Sequence, residues 1–148
     1  MSTTITASRI SSTSATSTNG ALSATIPLIA RLMLAAIFIV SGAGKIAEPA
    51  GTLGYITSVG LPVPMLAYIA ALAVEIVGGL LLVVGYRTRV VAAVLAVFSV
   101  ISALAFHHAL GDQNQLFHFL KNIALAGGLL QVVAFGAGTL SLDARRGE

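Results

Sequence analysis

Residues 70–86 read AALAVEIVGGLLLVVGY, an apolar run broken by one charge, Glu75. Extended back to Val63, the run is long enough to cross a bilayer, which takes about 20 helical residues through a hydrocarbon core about 30 Å thick. A surface helix of a water-soluble domain carries a polar face opposite its apolar stripe. This run has no polar face. A carboxylate inside a spanning helix costs about 2.5–3.5 kcal/mol on insertion scales, so such groups face the bundle interior and find a partner.

The whole chain has the same character. Of 148 residues, 57% are hydrophobic and 9% charged, against about 25% charged in ordinary soluble domains. Mean hydropathy is +0.97. A soluble chain of this length keeps too much surface to hide that much apolar area, whereas lipid removes the difficulty. The net charge of +3 and pI near 9.8 come from scattered Lys and Arg, not from the clustered basic face that nucleic acid requires. No nucleic-acid partner is expected; the expected partner is the lipid bilayer, with partner proteins or further copies of the chain also open. There is no cysteine, which excludes thiolate catalysis and cysteine-ligated clusters within this chain.

Four apolar spans are expected: Pro27–Ile46, Val63–Tyr86, Val90–Ala109 and Asn122–Leu142. Residues 1–25 are rich in Ser and Thr and read as a disordered tail. The membrane domain covers 26–143, and 144–148 form a short polar tail. The segment AEPAGTLGYITSVGLPVP reads as a turn-rich link. Four spans place both termini and the Arg87/Arg89 loop at one end. That end collects Arg9, Arg87, Arg89, Arg145 and Arg146, against Lys45 and Lys121 at the other. The bias predicts a multi-pass protein with both termini cytoplasmic. The fold class is therefore all-α, a four-transmembrane-helix bundle of two hairpins. GGLLLVV at Gly78 and GGLLQVV at Gly127 echo each other on the second and fourth spans, through a parallel repeat or through chance. Ala92/Ala96 and Ala124/Gly128 have the spacing of close helix contacts.

Glu75 has two candidate partners on the first span, Arg31 and Lys45. If the first two spans share a common end, Arg31 lies about 21 Å below it and Glu75 about 18 Å. The depths match, so an Arg31–Glu75 ion pair is expected, with Lys45 near the surface and out of reach. Three readings stand: a pair that fixes helix register, a proton- or substrate-handling site, or a protonated, hydrogen-bonded Glu75.

A second polar group gathers at the end opposite the termini: Lys45, His107, His108, Asp112, Gln115, His118, Lys121 and Asn122. His108 and Asp112 have i,i+4 spacing and would share a helix face. The histidine spacing fits no specific metal pattern, and no metal site is expected. Lys121 and Asn122, at the start of the fourth span, would add free N–H groups and a positive dipole end. With Lys45 they form a candidate ligand site for an anion or polar headgroup. Ordinary snorkelling of the lysines to the interface is the alternative. SGAGK at Ser41–Lys45 lacks the spacing of a nucleotide loop.

In this order the pieces resemble the DoxX family of small four-helix bacterial membrane proteins. The resemblance rests on Arg31, FIVSGAGKI at 38–46, GLPVP at 60–64, EIVGGLLLVVGYRTR at 75–89, FHH at 106–108, LFHFLKNIALAGGLL at 116–130 and GAGTLSLD at 136–143. It implies a bacterial inner-membrane protein and little chemistry. Some relatives are linked to thiosulfate oxidation feeding quinone, others to oxidative-stress and thiol-homeostasis complexes. The resemblance thus points to a membrane subunit supporting respiratory or redox-defence chemistry, quinone- or sulfur-linked. A quinone is the one cofactor it suggests, and no catalytic residue is assigned. A non-enzymatic scaffold or small-solute or lipid-handling protein is the alternative, and a proton-coupled transporter a third.

Overall fold

The computed structural model describes residues 13–147. Among them are six helices and no strand: α1 (Thr13–Ala47), α2 (Pro49–Ser58), α3 (Pro64–Val84), α4 (Thr88–Phe106), α5 (Gln113–Phe135) and α6 (Leu142–Arg146). Four are long and apolar enough to cross a membrane: the Leu22–Ala47 part of α1, and α3, α4 and α5. They form an up-and-down bundle in which α1 packs mainly on α3, α4 on α5, and α3 joins the two pairs. The expected tail begins outside the described residues, and α1 already starts at Thr13 within it.

Because the spans are apolar all round, small and polar residues among the large apolar ones mark the inner faces of α1, α3 and α4. Arg31, Ala35, Phe38 and Gly42 line the inner stripe of α1, and Glu75, Gly79 and Leu82 that of α3. Thr88, Ala92, Leu95, Ser99 and Ala103 do so on α4, and Leu125, Leu129 and Val132 on α5. These steps of three and four are the helical period. Large apolar side chains such as Met33, Val40, Leu66, Val97, Leu104 and Phe135 face outward, as a lipid-facing surface requires. Ala92 and Ala96 are packing residues as expected, but Ala124 is exposed and Ala126 takes the buried position on α5. At Gly79 a Cβ would stand 2.7 Å from Ile39 Cγ1; the missing side chain lets α1 and α3 approach closely.

The link between the first two spans is itself helical. Pro49 opens α2, where its missing N–H costs nothing and its fixed φ suits the first turn. Only Ile56 of α2 is buried, and Tyr55 anchors it by donating a hydrogen bond to the Phe106 carbonyl at 2.9 Å. The fourth span also differs from its expected bounds. It begins at Gln113, nine residues before Asn122, capped by Asp112, which accepts from Gln115 N–H at 2.9 Å. It ends at Phe135, where Gly136 takes φ +81. The chain then turns into α6, so the end of the expected fourth span and most of the expected polar tail form a short docked helix.

Candidate functional site

Glu75 is not paired with Arg31. Its Oε1 lies 2.8 Å from Lys45 Nζ and accepts from Ser41 Oγ at 3.1 Å; Lys45 also donates to Ser41 Oγ at 2.9 Å. The reason is register. Glu75 stands beside Gly42, where a Cβ would lie 3.3 Å from its own Cβ, whereas Arg31 stands beside Gly85. The eleven residues from Arg31 to Gly42 separate the two charges by about 16 Å along α1. The first two spans do not end at a common height: α3 overshoots α1, and α2 fills the step. Ser41 and Lys45, one turn apart on α1, thereby both reach the carboxylate. The lysine does not snorkel away but turns inward, its side chain 24% exposed against 5% for Glu75.

Arg31, 1% exposed, has carbonyl oxygens as its direct acceptors, with the charge of Asp143 nearby. It donates to the carbonyls of Leu82 at 3.0 Å, Val83 at 3.4 Å and Leu140 at 2.6 Å. The first two belong to the last turn of α3, where carbonyls lack helical partners and the helix dipole favours a cation. Asp143 performs the reverse service at the start of α4, accepting from the N–H groups of Arg87 at 2.7 Å and Thr88 at 2.8 Å. Its own N–H donates to the Gly85 carbonyl at 2.9 Å. Burial pushes the Asp143 carboxyl up, but the hydrogen bonds from Thr88 and Arg87 and the charge of Arg146 outweigh it and hold the group below the usual carboxylate range. Beside it, Arg146 sits over the Tyr86 ring at 5.0 Å. Arg31 and Asp143 thus hold the helix ends together, beside a pocket of about 470 Å³ lined by Arg87, Arg89 and Asp143.

The opposite end keeps an opening. A cavity of about 960 Å³ lies between α1, α2, α3, α4 and α5. Its walls are apolar, with Phe38, Val74, Phe98 and Leu125 among them, and its polar residues include Ser41, Lys45, Tyr55, Glu75, His107, Lys121 and Asn122. An apolar chamber with a few convergent polar groups is the usual form of a small-molecule site. Four residues expected at this end, Lys45, His107, Lys121 and Asn122, therefore share one chamber with Glu75. His107 Nδ1 meets Gln115 Oε1 at 2.9 Å, and its ring stacks on His118 at 5.0 Å between centroids. Lys121 Nζ meets His118 Nδ1 at 3.2 Å.

Other expectations for this cluster are corrected. His108 and Asp112 share no helix face, because α4 ends at Phe106 and Asp112 caps α5. Lys121 and Asn122 do not open a helix; they lie more than two turns inside α5, so no free N–H groups surround them. Among the described residues, no group of three or more His, Asp or Glu converges as a metal site would. Ser41 and Tyr55 escaped sequence reading. The i,i+4 spacing of Ser41 and Lys45 beside Gly42 was the available signal for the first; Tyr55 depended on the unexpected α2.

Among the described residues three buried side-chain atoms lack a hydrogen-bond partner: Glu75 Oε2 beside the cavity, and Arg31 Nε and Thr88 Oγ1 at the terminal end. An orphaned buried acceptor costs about 1–3 kcal/mol, and more when charged.

A four-span integral membrane bundle that ties its helix ends together with Arg31 and Asp143 and holds the larger, polar-ended cavity at the opposite end is the class this arrangement defines. The chain belongs to the DoxX family, whose model matches residues 26–108. It is 36% identical over 131 residues to the inner membrane protein YphA of Escherichia coli, covering 85% of this chain and 94% of that relative. It is 35% identical over 116 residues to the inner membrane protein YqjF of the same organism, covering 78% and 88%. CatD of Bacillus subtilis, whose name proposes an oxidoreductase, is 38% identical over 69 residues, 47% of this chain and 50% of that protein. No solved structure matches the chain.

Proposed function

We propose that this protein is a DoxX-type inner-membrane subunit that binds an amphipathic redox partner in the cavity beside Glu75, supporting respiratory or redox-defence chemistry. The observation that carries the reading is the cavity of about 960 Å³ whose apolar walls bring Lys45, Glu75, His107 and Lys121 together. The inner-membrane names of YphA and YqjF support the location, and the partial likeness to CatD supports the redox class. The basic residues Arg87, Arg89, Arg145 and Arg146 gather at the end that carries the termini, which favours cytoplasmic termini.

A quinone fits the chamber: its ring and tail suit the apolar walls, and its polar edge faces Lys45, His107 and Lys121. Bound there, it would supply electron- and proton-carrier chemistry. The chain's own contribution is to exclude water with Phe38, Phe98 and Leu125, to orient the head with lysine and amide donors, and to hold a carboxylate at the head. The same apolar walls also suit a lipid chain, the feature that favours a lipid- or solute-handling role as the second reading.

Purification in mild detergent followed by mass spectrometry of bound small molecules separates these readings. A quinone or sulfur-bearing compound retained by the wild type and lost from Lys121→Ala is the expected result. Lipid alone in both preparations supports the second reading, and an empty wild type contradicts both.

A further inference from the structure

We infer that the pocket of about 470 Å³ at the terminal end binds the phosphate headgroup of an anionic phospholipid, with Arg89 as the main contact. This pocket is separate from the cavity beside Glu75 and does not depend on what that cavity holds. It lies where α4 begins and α5 ends. Both helices are membrane spans, so the pocket sits at the boundary between hydrocarbon and headgroups.

Arg89 is the uncommitted cation of the pocket wall. Among the described residues it makes no hydrogen bond and no ion pair. Its neighbours are engaged: Arg146 covers the Tyr86 ring at 5.0 Å and, with Arg87, holds that hydroxyl's pKa below the usual phenol range. The Arg89 guanidinium lies over Gly136, where a Cβ would stand 3.5 Å from Nε and 3.6 Å from Nη2. Gly136 keeps that face bare and also supplies the φ of +81 that ends α5. The carboxylate in the wall, Asp143, has both oxygens occupied by the N–H groups of Arg87 and Thr88, and Arg146 adds its positive charge beside it. A guanidinium grips two phosphate oxygens at once with its planar fork.

The rim favours a lipid over free phosphate. Phe135 is 79% exposed, the most exposed of the large apolar side chains described, and Val90 is 61% exposed. Both line the pocket. An acyl chain covers such side chains, whereas inorganic phosphate leaves them bare. Basic pockets between transmembrane helices are a recurrent form of anionic-lipid site. A choline head would bring its own ammonium against the arginines, so a head with net negative charge is the complementary one.

The test is native mass spectrometry of the full-length protein in mild detergent, titrated with dioleoylphosphatidylglycerol or dioleoylphosphatidylcholine. The two lipids share acyl chains and phosphate and differ in headgroup charge. The wild type is expected to hold its first phosphatidylglycerol about fivefold more tightly than phosphatidylcholine, the effect of one arginine near an anionic lipid. Arg89→Gln should reduce that preference to about twofold or less, while Arg145→Gln, which removes the same charge outside the pocket, should keep it at about threefold or more. Equal binding of the two lipids by the wild type overturns the inference. An equal loss in both variants assigns the attraction to the whole basic end and overturns the pocket. Displacement of phosphatidylglycerol by an equal concentration of inorganic phosphate assigns the site to the free ion and overturns the lipid. Should Arg89→Gln fail to fold, Arg89→Lys keeps the charge and removes the two-pronged grip. A preference cut to about half or less then supports Arg89 as the contact, and an unchanged preference overturns its role.

Discussion

Lys45 and Glu75 meet at 2.8 Å across the α1–α3 contact, with the carboxylate buried and the ammonium half-covered. The charge in the middle of an apolar span is thus neutralised from the neighbouring helix, three residues beyond the point where Gly42 lets Glu75 approach. The pair sits at the rim of the large cavity, and only one carboxylate oxygen is used in making it. A pair needed only for register would not require an open chamber beside it. Toward the terminal end of the bundle, Arg31 meets the last turn of α3 and Asp143 the first residues of α4, each at a helix end whose dipole suits its charge.

Gly85 is where that closure is least tolerant. It holds φ +69 as the left-handed residue after α3, and a Cβ there would meet the Arg31 guanidinium and stand 2.6 Å from Ser141 Cβ. Gly85→Ala combines a disfavoured backbone with a collision, so a loss of more than about 1 kcal/mol is expected. Thermal loss of helical signal in detergent checks it. Gly111→Ala, where a Cβ meets nothing within 4 Å, serves as the control and should leave the midpoint unchanged.

Asp143 gives the terminal end a pH dependence. Its folded carboxyl is held below the usual range, so the unfolded segment binds a proton more readily than the folded one. The stabilisation is complete above the unfolded value, about 3.9, and is lost as pH falls below it toward the folded value. Hydrogen exchange at the Arg87 and Thr88 amides, corrected for intrinsic rate, should show protection falling in that window. Asp143→Asn should lower protection at neutral pH and flatten the acid response.

Orientation is testable because the chain has no cysteine. Gly111→Cys lies in the loop between α4 and α5, and Ala144→Cys lies on α6; both positions are exposed. An impermeant maleimide added to intact spheroplasts should label the first. It should label the second only after the membrane is opened. The reverse pattern would place the termini outside.

The four spans were legible in the sequence because lipid demands sustained apolar length, and that demand is met by every residue of AALAVEIVGGLLLVVGY but Glu75 and the Gly and Tyr positions. What the sequence hid was register. The short helix α2 contains the chain-breaking signals of a loop, Pro49, Gly51 and Gly54, and it is α2 that fills the step between α1 and α3. With a shared end assumed, Arg31 fell level with Glu75; with the step in place, Lys45 does. Lys121, Asn122 and His107 were legible as site residues because polar groups stand out among apolar ones. Ser41 was not, since a serine hydroxyl on a helix often satisfies itself on the preceding turn, and Tyr55 was not, because its place beside the cavity depends on α2.

Double-mutant cycles centred on Glu75 test the Lys45 pairing most directly. Glu75→Gln is combined with Lys45→Met in one cycle and with Arg31→Leu in the other, and unfolding free energies are measured in the same detergent. The pair at 2.8 Å predicts a coupling of about 1–3 kcal/mol with Lys45 and additivity within about 0.5 kcal/mol with Arg31. Coupling to Arg31 with none to Lys45 would contradict the register, the cavity rim and the reading of the site together.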